Sequence, residues 1–365
     1  MLAAEEYKDI EEKIERGARL TREDGIRLFH CHDIAWLGAM ADKVRKRKCG
    51  DIVYYNVNCH VNLTNICTSH CKFCAFGRDC DEKGAYEMTK EQALNLVADA
   101  MKDPNLAGLH VVSGLHPTWS FDHYLGIVKA IHETYPQLYM KGFTGVEITH
   151  FAQISGLSVE EVLIRLRDEG GLQAIAGGGA EILSDRVREI ICPKKAATAE
   201  WLDVMRTAHK LGIRTNAYIM YGHVETIEER LQHLITLRDL QDETHGFQAF
   251  MLFPFHPANT ELGEEQGLKR VGSWEDMKML ALSRLILDNF DHIKAFWIML
   301  TMPIAQLALG FGADDLDGTI GEEKIIHAAG AQTNTGITRS ALERFIRETG
   351  YEPVQRDTFY REVQE

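Results

Sequence analysis

Strand-like and helix-like segments alternate from residue 54 onward in seven or eight units, and this alternation limits the folds open to the chain more than any other feature. The runs 54–63, 108–114, 138–147, 172–181, 213–222, 247–255 and 292–300 are apolar or alternating enough for strands, and a last short one is expected at 305–311. Helical periodicity falls between them, at about 89–102, 121–135, 158–169, 198–211, 226–242 and 274–289. Such alternation builds a mostly parallel sheet with helices outside it. So many units favour a (βα)8 TIM-type barrel over an open doubly wound sheet, and no G-x-G-x-x-G follows the first strand to support a dinucleotide fold. The expected organisation is α/β: an N-terminal helical extension over 1–53, a barrel over 54–312, and a C-terminal appendage over 313–365 that packs on the barrel. Residues 2–48 read as helices, with Thr21 as an N-cap and Asp24 at the capping-box distance. In the appendage a helix is expected at about 338–349.

The first strand runs straight into C-T-S-H-C-K-F-C at 67–74, which sets Cys67, Cys71 and Cys74 in a C-x3-C-x2-C spacing. With 8 cysteines in 365 residues, chance produces such a triplet only about 0.004 times. Three thiolates this close suit three irons of one cubane cluster. A [4Fe–4S] cluster normally takes four cysteines, so three leave one iron open to something that is not protein. Two other readings stay open on the residues alone. A structural zinc site wants four ligands, usually in two pairs, and Cys71 with Cys74 would need Cys67, His70 or Cys80 to complete it. Cys80 as a fourth cluster ligand would instead make a ferredoxin-like electron carrier, although the long gap after Cys74 and the size of the chain argue against it.

Charge and cysteine usage narrow the setting. The formal net charge is −14, and the longest basic stretch is K-V-R-K-R-K at 43–48, which reads as the solvated end of a helix. A surface of this sign repels phosphate, so no nucleic-acid partner is expected. The N-terminus M-L-A-A-E-E-Y-K lacks the apolar core of a signal peptide and no 18-residue apolar run follows, so no membrane association is expected either. Clustered cysteines without an export signal point to a reducing cytoplasm, with Cys31, Cys49, Cys59 and Cys192 as ordinary thiols.

Barrel enzymes place their chemistry at the C-terminal ends of the strands. The second strand ends S-G-L-H-P, where Ser113 and Gly114 allow close backbone approach to a ligand and His116 is either a ligand contact or a core histidine. Thr144 and Glu147 end the third, and G-G-G-A-E ends the fourth with Glu181 as a ligand acceptor or a helix-start carboxylate. On the fifth, Asn216, Tyr221 and His223 cluster with Glu225. His256, between aromatics after the sixth, faces substrate or is structural. Arg284 either binds a substrate carboxylate or forms a surface pair with Asp288 one helical turn on.

The cysteine spacing, with Phe73 just before the third cysteine, resembles the radical S-adenosylmethionine (SAM) superfamily. Closer still, N-I-C-T-S-H-C-K-F-C-A-F-G-R-D, G-A-Y-E-M-T, G-L-H-P, G-G-G-A-E-I, I-C-P-K-K, R-T-A-H-K-L-G-I-R-T-N-A, Y-G-H-V-E-T, L-Q-D-E-T-H-G-F-Q-A-F, F-H-P-A-N-T and G-A-D-D-L-D-G-T recur in order from about residue 56 onward. Together they resemble the aminofutalosine (aminodeoxyfutalosine) synthases of the futalosine route to menaquinone. The chain departs from that pattern at A-I-A before the three glycines, at Tyr218 where a small hydroxylated residue is usual, and at F-M-L-F-P on the sixth strand. The resemblance implies the barrel of radical SAM enzymes and a [4Fe–4S] cluster held by Cys67, Cys71 and Cys74. It implies SAM as a consumed co-substrate, contacted by Phe73, Ser113, Gly114, Glu147, Glu181, Asn216 and Tyr221. The second substrate would be 3-[(1-carboxyvinyl)oxy]benzoate, met by His116, His256 and Arg284, with flavodoxin or ferredoxin as electron donor. The adenosyl radical would add to the vinyl CH2, the aryl group would migrate and carboxylate would leave, giving 6-amino-6-deoxyfutalosine. Cyclic dehypoxanthine futalosine synthase and the deazaflavin-forming enzymes share the cluster loop and are the competing assignments.

Overall fold

The strand that leads to the cysteines also holds the two ends of the sheet together. It is broken at Val57 into β1 (Ile52–Asn56) and β2 (Asn58–Asn62). The computed structural model describes residues 5–320 and 323–363. The other strands are β3 (Gly108–Val112), β4 (Tyr139–Gly142), β5 (Leu172–Ile175), β6 (Arg214–Tyr221), β7 (Phe247–Pro254), β8 (His292–Lys294), β9 (Asp315–Gly318) and β10 (Glu352–Gln355). Every pairing is parallel, in the order β10-β1-β9-β8-β7-β6-β5-β4-β3-β2. β1 pairs with β9 and β10, while β2 pairs with β3, so the sheet curls round on the broken β1–β2 segment and its ladder is not a closed ring. The expectation of a fully closed eight-stranded barrel is corrected to this extent.

Packing at the seam explains Gly318. A Cβ there would lie 2.2 Å from Asn56 Oδ1 and 2.4 Å from Asn58 Oδ1. The next residues complete the join: Thr319 N–H donates to Asn56 O at 3.1 Å, and Ile320 N–H donates to Asn58 Oδ1 at 2.8 Å.

Most helices outside the sheet begin where the sequence supplies a hydroxyl and, often, a reciprocal acceptor. Thr89 with Gln92, Ser158 with Glu161 and Thr226 with Glu229 are capping boxes that start Lys90–Ala100, Val159–Asp168 and Ile227–Thr244. The expected Thr21–Asp24 box is present as well. The N-terminal helices Lys8–Glu15, Arg22–Phe29 and Ile34–Cys49 form a layer on the outer helices, tied by Lys278 Nζ to Phe29 O at 3.0 Å and Arg238 to Leu20 O at 2.9 Å. The start of the expected helical stretch, residues 2–4, lies outside the described residues, as do 321–322 and 364–365 of the expected appendage.

Three expectations about elements fail, the first being the run 292–300, which is a strand only over His292–Lys294 and turns helical at Trp297–Leu300. The third strand ends at Gly142, not at 147, because Thr144 and Glu147 form a capping box that starts the helix Gly145–Ser155. Residues 305–311 are helical, and the eighth wall strand is β9, D-L-D-G, which lies between β1 and β8. β9 and β10, both from residues after 312, take part in the sheet. Among the described residues no helix is long and apolar enough to cross a membrane.

Candidate active site

The loops beyond the upper strand ends enclose a cavity of about 320 Å³, and Cys67, Cys71 and Cys74 all line it. The loop that carries them is pinned at its base by Arg78. Cys67 N–H donates to Arg78 O at 3.1 Å, Arg78 N–H donates to Asn65 O at 2.9 Å, and the guanidinium donates to Ala75 O at 2.9 Å and Gly77 O at 2.7 Å. Gly77 N–H points at Cys74 Sγ at 3.4 Å. Cys80 is exposed and does not line the cavity. No three His, Cys, Asp or Glu among the described residues are gathered to share a single ion, as tetrahedral zinc would ask. A cubane takes each thiolate on a different iron, and an amide donor to a ligating sulfur belongs to that kind of site, so the residues present fit the cluster.

Beside the cysteine loop stands a charged wall built on Glu181 and Lys195. Glu181 lies beyond β5, buried, at a φ of 46°. Lys195 Nζ reaches its Oε1 at 2.6 Å, and the Tyr218 hydroxyl donates to Oε2 while accepting from Gly179 N–H at 3.2 Å. Burial alone would raise the Glu181 pKa, but Lys195 and the Tyr218 hydrogen bond hold it below the usual carboxylate range. Burial would lower Lys195, yet Cys71, Glu181, Tyr218 and Cys192 around it raise it well above an ordinary lysine. Its ammonium also lies 4.8 Å from the centre of the Phe73 ring, which links this wall to the cysteine loop.

Glu147 is the second carboxylate on the cavity. Its oxygens accept from Ser113 N–H and Thr144 N–H, each at 2.7 Å. Burial still pushes it up to about 7, because these two amides offset only part of the desolvation. The glycines beside these groups are set by packing. A Cβ on Gly114 would lie 2.3 Å from Ile66 O, and one on Gly177 only 1.8 Å from Asn216 O. The small-residue turns thus let the loops close on one another, and Gly114 brings the β3 end against the cysteine loop.

The cavity gathers Phe73, Ser113, Gly114, Glu147, Glu181 and His256 from the expected set, together with the three cysteines. His256 contacts Met299 O through Nε2 at 3.0 Å, and burial lowers its pKa. Four expected residues do not line it. His116 is buried behind the wall, with Nε2 2.7 Å from Glu87 and its ring stacked on Trp119. Asn216 faces a small chamber lower in the barrel. Tyr221 turns outward to donate to Asp276 at 2.7 Å. Arg284 reaches neither the cavity nor solvent: it is fully buried, bonding Gly312 O at 2.8 Å, Asp291 O at 3.1 Å and Asp314 at 2.5 Å. Its supposed surface partner Asp288 pairs with Arg19 at 3.0 Å. Sequence reasoning missed Lys195 as a site residue, although it sits in I-C-P-K-K, and treated Tyr218 only as a departure from a pattern. The one local signal was the pair of lysines that follows Cys192 and Pro193.

Comparison with known proteins gives this geometry a context. The family model described as "Radical SAM superfamily" matches residues 61–237, and "CofH/MqnC C-terminal region" matches 244–365. An aminodeoxyfutalosine synthase from Thermus thermophilus is 44% identical over 355 residues, covering 97% of this chain and 95% of its own. One from Streptomyces coelicolor is 41% identical, covering 98% and 94%. A 5-amino-6-(D-ribitylamino)uracil–L-tyrosine 4-hydroxyphenyl transferase from Methanococcoides burtonii is 40% identical, covering 97% and 99%. Among solved structures, methylornithine synthase (PylB) aligns with TM-score 0.74 at 17% identity, covering 94% of this chain and 96% of its own. The FeFe-hydrogenase maturase HydG from Carboxydothermus hydrogenoformans aligns with TM-score 0.75 at 17% identity, covering 98% and 81%. These two share the fold.

Proposed function

The chain belongs to the radical SAM superfamily and, within it, to the aminodeoxyfutalosine synthase family; from that premise we propose that it joins the adenosyl group of SAM to 3-[(1-carboxyvinyl)oxy]benzoate to make 6-amino-6-deoxyfutalosine for menaquinone. The observation that carries this reading is the 44% identity along nearly the whole chain, coupled to a single cavity lined by all three spaced cysteines. Cys67, Cys71 and Cys74 would hold the cluster. When bound, the cluster supplies the electron that splits SAM into methionine and the 5′-deoxyadenosyl radical.

The rest of the work falls to the side chains. Ser113 and Glu147 would meet the methionyl amino group, whose positive charge favours ionised Glu147. Glu181, oriented by Lys195 and Tyr218, keeps lone pairs for the ribose hydroxyls. Met220, Met251, Phe253 and Phe255 give an apolar wall on which the arene lies and from which water is excluded. Flavodoxin or ferredoxin would deliver the electron, in the cytoplasm.

A second reading has specific support in the match to the CofH/MqnC C-terminal region and the 40% identity to the transferase that its name assigns to L-tyrosine and 5-amino-6-(D-ribitylamino)uracil. Anaerobic incubation of the reconstituted enzyme with SAM, reductant and each substrate set separates the two. The first reading expects SAM and the enol ether to disappear mole for mole, with no turnover of tyrosine. Consumption of tyrosine and the uracil alone would overturn it.

A further inference from the structure

A substrate with two carboxylates needs a cation, and the cavity wall has little to offer. Among the described residues lining it, Lys195 is the only lysine or arginine, and Glu181 occupies it at 2.6 Å. Arg78 is spent on loop carbonyls and Arg284 on Asp314. The missing charge lies one layer down.

His110 lines both the cavity and a small chamber beneath it, so its ring is the partition between them. Strand register places His60, His110 and Lys141 in one row across β2, β3 and β4. Paired residues of neighbouring strands share a face, so this row points into the barrel. The chamber also holds Lys294 and Arg356, and these have partners: Lys294 Nζ meets Asp317 at 2.8 Å and Arg356 Nε meets Asp315 at 2.6 Å. Lys141 has no hydrogen bond or ion pair among the described residues, and three cations stand against two carboxylates there. Burial, then the nearby Lys294, pulls Lys141 down to about 7, which marks a site short of negative charge.

Polar groups in this row and on the cavity floor are also uncommitted. Asn62 lines the cavity, is 6% exposed, and its side-chain oxygen has no partner. His60 and His110 meet edge to face at 4.8 Å, and neither Nε2 has a partner. Buried amides and imidazoles left this way are rare in a finished core and expected where a polar ligand completes them. A neutral imidazole still carries one N–H to donate.

We propose that the floor of the cavity receives the carboxylate on the aromatic ring of the substrate, hydrogen-bonded by the N–H of the His110 imidazole, with the Lys141 ammonium behind it balancing its charge. The choice of carboxylate rests on the reaction assigned above. The vinyl carbon must reach the cysteine end, where the adenosyl carbon is generated, and the ring carboxylate is the far end of the molecule. His110 lies three residues before Ser113, which follows β3 at the end beside the cysteine loop, and so about 10 Å deeper at the usual strand rise.

The test compares 3-methoxybenzoate with its neutral counterpart 3-methoxybenzamide, titrated into the cluster-loaded enzyme with SAM present. Wild type is expected to prefer the benzoate by about thirtyfold. Lys141→Met should remove that preference, weakening the benzoate by a similar factor while SAM and the benzamide bind as before. Equal binding of the two ligands by wild type overturns the proposal without any variant. So does a Lys141→Met enzyme that keeps the preference or loses both ligands alike. A wild type that prefers the benzoate yet leaves the enol ether unconsumed supports the anchor and counts against the assigned reaction alone.

Discussion

The barrel interior is divided into two regions that follow opposite rules. The upper cavity is walled by Met220, Met251, Phe253 and Phe255, with charged groups at Glu147, Glu181 and Lys195 and a few polar side chains, among them His110 and His256. The lower chamber is lined almost wholly by polar and charged groups, among them Asn56, Asn58, Lys141, Lys294 and Arg356. An apolar region suits a reaction through an adenosyl radical, because few groups quench it and water is kept out. Ion pairs below serve another purpose: they join β8, β9 and the residues after β10, where the sheet curls back on β1. Chemistry and closure are thus separated by the His110 side chain, which lines both.

The division is sharpened most by removing the cysteines. Cys67→Ala, Cys71→Ala and Cys74→Ala should each lose iron, the cluster absorbance and all turnover, whereas Cys80→Ala keeps them, since Cys80 is exposed outside the cavity. Iron and sulfide analysis after anaerobic reconstitution reads this directly. If Cys80→Ala also lost the cluster, the open coordination site would be gone.

Arg284→Met probes the closure side. Losing one partner of a buried pair costs about 3–5 kcal/mol, so a urea titration should show a large fall in stability. SAM affinity of the protein that remains folded should hardly change, as Arg284 does not line the cavity. Unchanged stability with slow turnover would put Arg284 back in the site. Lys195→Met acts in the upper region with the reverse signature: buried Glu181 loses its cation, and SAM cleavage should fall about a hundredfold while cluster content is retained.

The smallest expected effect is a pH slope from Lys141. The folded protein releases its proton near 7, whereas an ordinary lysine keeps it to about 10.5. Between those values the unfolded chain binds more protons, so the penalty of burying this cation is complete below about pH 7 and fades as pH rises toward 10.5. Wild-type stability should carry a component that increases with pH over that window. Lys141→Met should be without that component, by parallel urea titrations at about pH 6 and about pH 9.

These same contrasts explain what could be read from the sequence. The cysteine triplet, the glycine run and Glu181 were legible because each is a local pattern with a chemical requirement. The βα order was legible for strands whose side chains are mainly apolar. β9 was not, because its Asp315 and Asp317 point at Arg356 and Lys294, partners distant in the chain, and a charged inner strand has no hydrophobic period to detect. The helix Gly145–Ser155 was hidden in a strand-like run whose capping box went unused as a signal. Arg284 was misplaced for a related reason: the sequence offers Asp288 one turn away, and only the folded chain brings Asp314 and three carbonyls around the guanidinium. Lys195 sits in a loop with no periodicity, and its meeting with Glu181 and Phe73 is a tertiary event.

The fate of the adenosyl group tests the account most directly. Reconstituted enzyme given SAM labelled in the adenosyl moiety, reductant and 3-[(1-carboxyvinyl)oxy]benzoate should place the label in the aryl ketone product, in proportion to the methionine released. Label recovered chiefly as free 5′-deoxyadenosine, with the enol ether present and intact, would contradict it.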